Sequence, residues 1–312
     1  MHWRYVLPLG ILALLLCVVS FEMHRSLVSD WNKAVADWER NSVVEHYVPE
    51  EATFSVPLAE QATTAPSVIS TTFHELPLAK SLPLPPAVRA PVLMYHYVRP
   101  ITPNLTKTQR LLSITPESFT AQMQEITALG YHTITPDDLY AALTGGKQLP
   151  DKPLIVTFDD GYVGQYQYAF PVLKQLGLKA TFFVITDFHR DKSAYMTDSM
   201  LLDMDASGLC TIASHTRHHA WLTNYRPAVQ QDEIAGSKQE LEKLLGHPVT
   251  AFAYPYGKFD ASVEKLVAQA GYETAFSTRL GSVHTSSTLL ELRRIRAKNG
   301  EKLGPLLERI TY

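Results

Sequence analysis

The run Leu154-Ile155-Val156-Thr157-Phe158, which breaks off into Asp159-Asp160-Gly161, most narrows the folds open to this chain. A short aliphatic and aromatic stretch without polar alternation reads as a strand covered on both faces, the habit of parallel sheets. Covering both faces takes helices between the strands, and the sequence supplies them. Thr115-Pro116-Glu117 and Thr135-Pro136-Asp137 each give an N-cap, a Pro at the first helical position and an acid in the first turn, starting helices that run toward Leu129 and Leu143. Gly130 and Gly145 fall where the C-caps belong. Residues 180–185 read as another strand and 228–245 as a long amphipathic helix. This alternation from Leu93 onward implies an α/β fold with a parallel sheet. Ligands in such folds gather beyond the C-terminal ends of the strands, where Asp159 and Asp160 fall.

Two adjacent carboxylates repel unless they share a proton or one of them holds a cation. Further ligands for a cation are at hand. A second apolar stretch, 209–214, runs into His215-Thr216-Arg217-His218-His219. His215 and His219 have the spacing that on a helical turn brings both imidazoles to one side; His215 with His218 is the other available pairing. One Asp and two His make a three-ligand set that leaves positions open for water and substrate. A third strand-like stretch ends in a turn, Ala251-Phe252-Ala253-Tyr254-Pro255-Tyr256-Gly257-Lys258. Each piece has an ordinary explanation: Asp and Gly serve turns, paired histidines cap helices or face solvent, and Pro among aromatics makes a packed turn. Three successive strand ends carrying such groups are much harder to attribute to chance.

Together these motifs resemble the polysaccharide deacetylase family, the NodB-homology or carbohydrate esterase family 4 group. Thr157-Phe158-Asp159-Asp160 is similar to the first family motif, which implies Asp159 as general base and Asp160 as a metal ligand. The segment from Ser214 to His219 is similar to the His-Ser/Thr-x-x-His motif, which implies His215 and His219 as the other metal ligands and leaves His218 facing solvent or the substrate's edge. Pro255-Tyr256 is similar to the third motif, implying an oxyanion contact from the Tyr256 backbone N–H and placing Tyr254 and Pro255 at the substrate. The likeness covers about residues 90–312, including the segments at 91–98 and 195–197, and implies a distorted (β/α)7-type barrel. It also implies a divalent metal, Zn2+ before Co2+, Ni2+ or Fe2+.

The chain departs from the family pattern in two places. Where many members carry an Arg that partners the catalytic base, this chain has Ala253, so that partner is missing from the motif. The Ala-Tyr-Pro-Tyr-Gly version and the early Tyr95-His96 segment resemble the poly-β-1,6-N-acetylglucosamine deacetylase branch, which points to an exported polysaccharide. The usual Leu-x-x-His acid is also absent, leaving His96, after the first strand, and His284, in a Gly/Ser/Thr loop, as candidates for the acid or a substrate contact. Arg293, Arg294, Arg296 and Lys298 read as a solvated face of the last strand. The resemblance implies hydrolysis of N-acetyl groups with release of acetate; a catalytically weak or inactive carbohydrate-binding relative is the alternative. A haloacid-type phosphatase needs an Asp-x-Asp pair, which adjacent Asp159-Asp160 does not provide.

Residues 5–21 form an unbroken apolar stretch after Arg4, short for a membrane span and long for a signal core. An uncleaved signal anchor with a cytoplasmic N-terminus is expected, giving a single-pass protein of the cell membrane with an extracytoplasmic catalytic domain; secretion after cleavage near Ser20 is the alternative. Leu27, Trp31, Val35 and Trp38 recur at roughly helical spacing, suggesting a juxtamembrane helix, and about 51–90 has the Pro, Ala, Ser and Thr content of a linker. The expected organisation is an anchor at 1–25, juxtamembrane helix and linker at 26–90, and a monomeric catalytic domain at 91–312. Cys17 and Cys210 make no disulfide framework within the domain, and a formal charge of −3 gives no electrostatic case for nucleic acid. The partners expected are an N-acetylated polysaccharide and a membrane.

Overall fold

The computed structural model describes residues 87–188 and 193–312. The expected anchor and juxtamembrane helix, and the linker as far as residue 86, lie outside them. Among the described residues no helix is long and apolar enough to cross a membrane.

Seven strands form the frame: β1 (Val92–Tyr95), β2 (Pro153–Phe158), β3 (Ala180–Val184), β4 (Cys210–Ser214), β5 (Ala251–Ala253), β6 (Thr274–Leu280) and β7 (Leu292–Arg296). Every pairing between neighbours is parallel, and β7 returns to β1, so the sheet closes into the expected barrel. The distortion sits on one side. β4 and β5 share one register pair, Ser214 with Phe252, and the β6–β7 register shifts between Phe276 and Leu280. Ala87–Arg89, at the end of the expected linker, forms a short strand on Val283–Thr285.

Side chains alternate in and out along each strand, and the core divides by that parity. Val92, Ile155, Phe183, Ala213, Ala251, Ala253, Phe276 and Leu292 form one cluster, filling the barrel interior. Leu93, Val156, Phe158, Phe182, Ile212, Phe252 and Ile295 point outward into a second cluster, against helix residues such as Phe119, Met123, Leu241 and Val263. Leu139 and Leu143 join the interior cluster with Ala90, which lies just before β1, so the helix carrying them plugs the end where the strands begin. The opposite end is left for chemistry.

The helices start where their caps predict. Thr115 caps Pro116–Ala128 and Thr135 caps Pro136–Gly145, each side chain accepting the N–H three residues on. The second ends one residue later than expected: Gly145 is its last residue, and Gly146, at φ 72°, makes the left-handed cap. The long helix expected over 228–245 is interrupted. Pro227–Gln231 and Ser237–Leu245 are α-helical, and Asp232–Gly236 between them is a π turn, whose extra residue rotates the second helical stretch relative to the first.

Phe182 is fully buried and stacks on Phe158 with ring centroids 4.6 Å apart. Phe182→Ala is expected to cost about 3–5 kcal/mol, read from the shift in urea midpoint.

Candidate active site

Asp159 and Asp160 come directly after β2, at the open end of the barrel. Asp160 takes a left-handed conformation, φ 76°, and Gly161 continues at 77°, so the chain turns sharply and the neighbouring carboxylates diverge. Asp tolerates that region better than most residues. Both acids are almost wholly buried.

Asp159 meets Arg294 in a bidentate pair, Nη1 donating to Oδ1 at 2.7 Å and Nη2 to Oδ2 at 2.8 Å. Arg294 also donates from Nε to the Ser277 carbonyl at 2.8 Å, and its side chain is 0% exposed. The arginine missing at position 253 is thus supplied by the last barrel strand, and Arg294 belongs to the interior, not to a solvated basic face. Its strand parity is the signal: Arg294 lies two residues from Leu292 and shares its inward side. Burial alone would raise the pKa of Asp159, but the Arg294 guanidinium, with smaller help from His215 and His96, holds it below the ordinary 3.8.

Asp160 faces the histidines. Its Oδ1 lies 3.4 Å from His215 Nε2 and 3.4 Å from His219 Nε2, buried and without a hydrogen bond. The three ligand atoms lie within 4.8 Å of one another. His215 Nδ1 sits 2.8 Å from the Ala253 carbonyl, so it carries the proton and leaves the Nε2 lone pair toward Asp160. Burial lowers the His219 pKa to about 4, keeping that imidazole neutral as ligation requires. For His215 burial also disfavours the charged form, yet Asp160 and Asp159 outweigh it and raise its pKa. An orphaned buried carboxylate oxygen facing two imidazole nitrogens fits a divalent cation.

The histidines reach this geometry without a helix. Residues 215–220 are an irregular loop with Thr216 at φ 68° and His219 at φ 57°. For a β-branched Thr that is a strained backbone, of order 1–3 kcal/mol, kept only where the surroundings over-determine it. His218 is half-exposed, but both its ring nitrogens are engaged, one with Glu233 and one with Asp187, and the Glu233 hydrogen bond raises its pKa.

His96 and the Tyr256 turn complete the mouth. His96 Nε2 is 3.9 Å from Asp159 Oδ2, and burial lowers its pKa despite Asp159 and Asp160 nearby. Gln165, fully buried on a second π turn, ties the two together by donating Nε2 to the carbonyls of His96 at 2.9 Å and Asp159 at 2.6 Å. Tyr256 adopts φ 59° and sets its ring 4.5 Å from the His219 ring, with Trp221 5.6 Å beyond. The next residue must be Gly: at φ +66° a Cβ on Gly257 would fall 2.1 Å from Thr278 Oγ1. On the other flank Tyr97, Tyr162 and Tyr195 stack in series.

Three expected site residues fall elsewhere. Tyr254 is fully buried, donates to the Leu290 carbonyl and packs on Phe259, so it is a core residue and not a substrate contact; Pro255 is buried beside it in the turn. His284 lies near the closed end, its Nε2 3.0 Å from the Ala90 carbonyl, with burial lowering its pKa to about 4. It is too far from the acids to serve them.

The model of the family described as polysaccharide deacetylase matches residues 146–275, which carry both acids, both histidines and the Tyr256 turn. YxkH of Bacillus subtilis, whose name places it among the polysaccharide deacetylases, is 32% identical over 212 residues, 68% of this chain and 72% of that protein. The Streptococcus pyogenes deacetylase PplD, solved in complex with acetate, superposes at a TM-score of 0.68 with 30% identity, covering 73% of this chain and all of that one. The poly-β-1,6-N-acetyl-D-glucosamine N-deacetylase of Escherichia coli is 23% identical over 244 residues, 65% of this chain but only 36% of that protein. The chain belongs to the polysaccharide deacetylase family.

Arg294→Met would strand a buried carboxylate. It is expected to cost about 3–5 kcal/mol at pH 7, because one partner of a buried pair is removed while the other stays charged. Since Asp159's folded pKa is depressed, the pair's contribution is present above the ordinary 3.8 and lost as pH falls through the folded value, so the penalty shrinks in acid. Urea unfolding at pH 7 and pH 3 checks it; equal stability of parent and variant at pH 7 would contradict the pairing.

Proposed function

We propose that this protein removes N-acetyl groups from an extracytoplasmic polysaccharide containing N-acetylglucosamine, releasing acetate, in a reaction that depends on a divalent metal. The observation that carries the reading is Asp160 Oδ1, buried, unbonded and equidistant from two imidazole nitrogens, beside a second carboxylate kept ionised by an arginine.

Asp160, His215 and His219 would hold the cation, zinc by preference; when bound, it supplies Lewis acidity for the amide carbonyl and for water. Asp159 is the general base, taking a proton from the attacking water. Its anchoring by Arg294 fixes both carboxylate oxygens, and Oδ2 is the one turned toward His96. The acid we assign is His96, whose Nε2 lies 3.9 Å from that oxygen and whose pKa burial lowers; it would receive the proton and pass it to the departing amine. The backbone N–H of Tyr256 is the oxyanion donor, where charge develops only in the transition state. The chain's own residues would therefore move one proton from water to the amine, leaving acetate and a free amino group on the polymer.

The polymer is read from two sources. The named activity of the Escherichia coli relative, and the Tyr95-His96 and Ala-Tyr-Pro-Tyr-Gly segments of this chain, favour poly-β-1,6-N-acetylglucosamine. Aromatic rings on both flanks of the acids suit the apolar faces of sugars. An apolar stretch at 5–21 and the linker composition beyond it favour a membrane-anchored enzyme working outside the cell. The non-catalytic alternative draws on the absent base partner and on the unassigned acid; Arg294 removes the first of these, and the second rests on the role proposed for His96.

Acetate should be released from N-acetylglucosamine oligomers, vanish on treatment with a chelator and return with zinc; release that survives metal removal would sink the reading. His96→Ala should lower turnover by about 10²–10⁴-fold with zinc content unchanged, and near-normal turnover would remove His96 from the mechanism.

A further inference from the structure

The loop that carries His215 and His219 has a strained backbone, and one buried carboxylate meets it. Glu233 is 5% exposed and lies inside the π turn Asp232–Gly236. Its Oε2 accepts the backbone N–H of Arg217 at 3.0 Å and that of His218 at 3.0 Å, while its Oε1 lies 2.7 Å from His218 Nδ1. One side chain thus engages the two residues between Thr216 at φ 68° and His219 at φ 57°. The neighbouring contacts act on the same loop: Arg217 reaches Asp232 at 2.9 Å and Glu240 at 2.9 Å, and its carbonyl accepts the Asp187 N–H at 3.0 Å.

We propose that Glu233 is a positioning residue for the metal site, a twin acceptor that holds the 215–219 loop in the conformation that turns both imidazole nitrogens toward Asp160. The π turn is part of the device. An uninterrupted α-helix over 227–245 would carry residues after the interruption about 100° out of their present register, so the extra residue lets Ser237–Leu245 keep its packing while Glu233 meets the loop. Gly236, on the same turn, leaves the space: a Cβ there would come 2.9 Å from Arg217 Cδ.

What the loop needs from position 233 is an oxygen that accepts two N–H groups. A glutamine keeps that oxygen, and its amide can face His218 Nδ1 in the other tautomer. Methionine keeps the length and loses both acceptors, and aspartate keeps the charge but is one methylene short.

The inference rests on Asp160, His215 and His219 being a cation site, and the experiment separates the two. Zinc affinity is measured by competition with a chromogenic chelator for the parent and for His215→Ala, Glu233→Gln, Glu233→Asp and Glu233→Met, with folding of each metal-free protein checked by circular dichroism and thermal melting. If the parent binds zinc no better than His215→Ala, the cation site itself is wrong and the inference goes with it. If the parent binds and His215→Ala does not, Glu233→Met should weaken zinc by about 10–100-fold and Glu233→Gln should stay within about threefold of the parent. Glu233→Asp should weaken it comparably to Glu233→Met, and it decides the matter should the methionine variant not fold. Parent-like zinc affinity in a folded Met or Asp variant, or a Gln variant as weak as the Asp one, would overturn the role.

Discussion

A carboxylate buried at the mouth of a barrel must be neutralised, protonated or paired, and here it is paired. The bidentate contact between Asp159 and Arg294 joins the end of β2 to the last strand, with a further hydrogen bond from Arg294 to the Ser277 carbonyl on β6. Desolvation of such a pair is expensive, and it holds because the geometry satisfies both oxygens of the acid and most donors of the guanidinium. The pair also sets the electrostatics of its neighbour. With Asp159 neutralised from inside the barrel, Asp160 is free to face outward to the two imidazoles, and the repulsion between adjacent acids becomes a division of roles.

Irregular backbone gathers around this pair. Of the non-glycine residues at positive φ among those described, Asp160, Thr216, His219 and Tyr256 all lie at the site, and only Lys152 does not. Both π turns do the same kind of work, one aiming Gln165 at the carbonyls of His96 and Asp159, the other aiming Glu233 at the histidine loop. Regular strands set the frame, and departures from regularity turn the functional groups inward. Such strain persists only where surrounding contacts over-determine it.

Much of this was legible in the residues. The apolar runs gave the parallel strands, the Thr-Pro-acid triplets gave two helix starts, and the motifs gave Asp159, Asp160, His215 and His219, which the fold brings together from two separate strand ends. Arg294 was hidden by its company, since it stands among exposed basic residues and only alternation from Leu292 marks it as inward. The histidine spacing suggested a helical turn, yet the backbone reaches the same juxtaposition through left-handed residues, which spacing alone does not distinguish. The π turn leaves little mark in helix propensity: Gly236 at its end costs about 1 kcal/mol relative to Ala, and a lone Gly inside an otherwise helical run does not tell a π turn from a continuous helix. Tyr254 was misplaced because a motif names neighbours in sequence, whereas alternate residues at a strand end face opposite ways.

The division of roles between the adjacent acids is tested most directly by measuring zinc content and acetate release side by side in Asp159→Asn and Asp160→Asn. Asp159→Asn should keep its zinc and lose turnover by about 10²–10⁴-fold, whereas Asp160→Asn should lose both. Equal zinc loss in the two variants, or near-normal acetate release from Asp159→Asn, would contradict it.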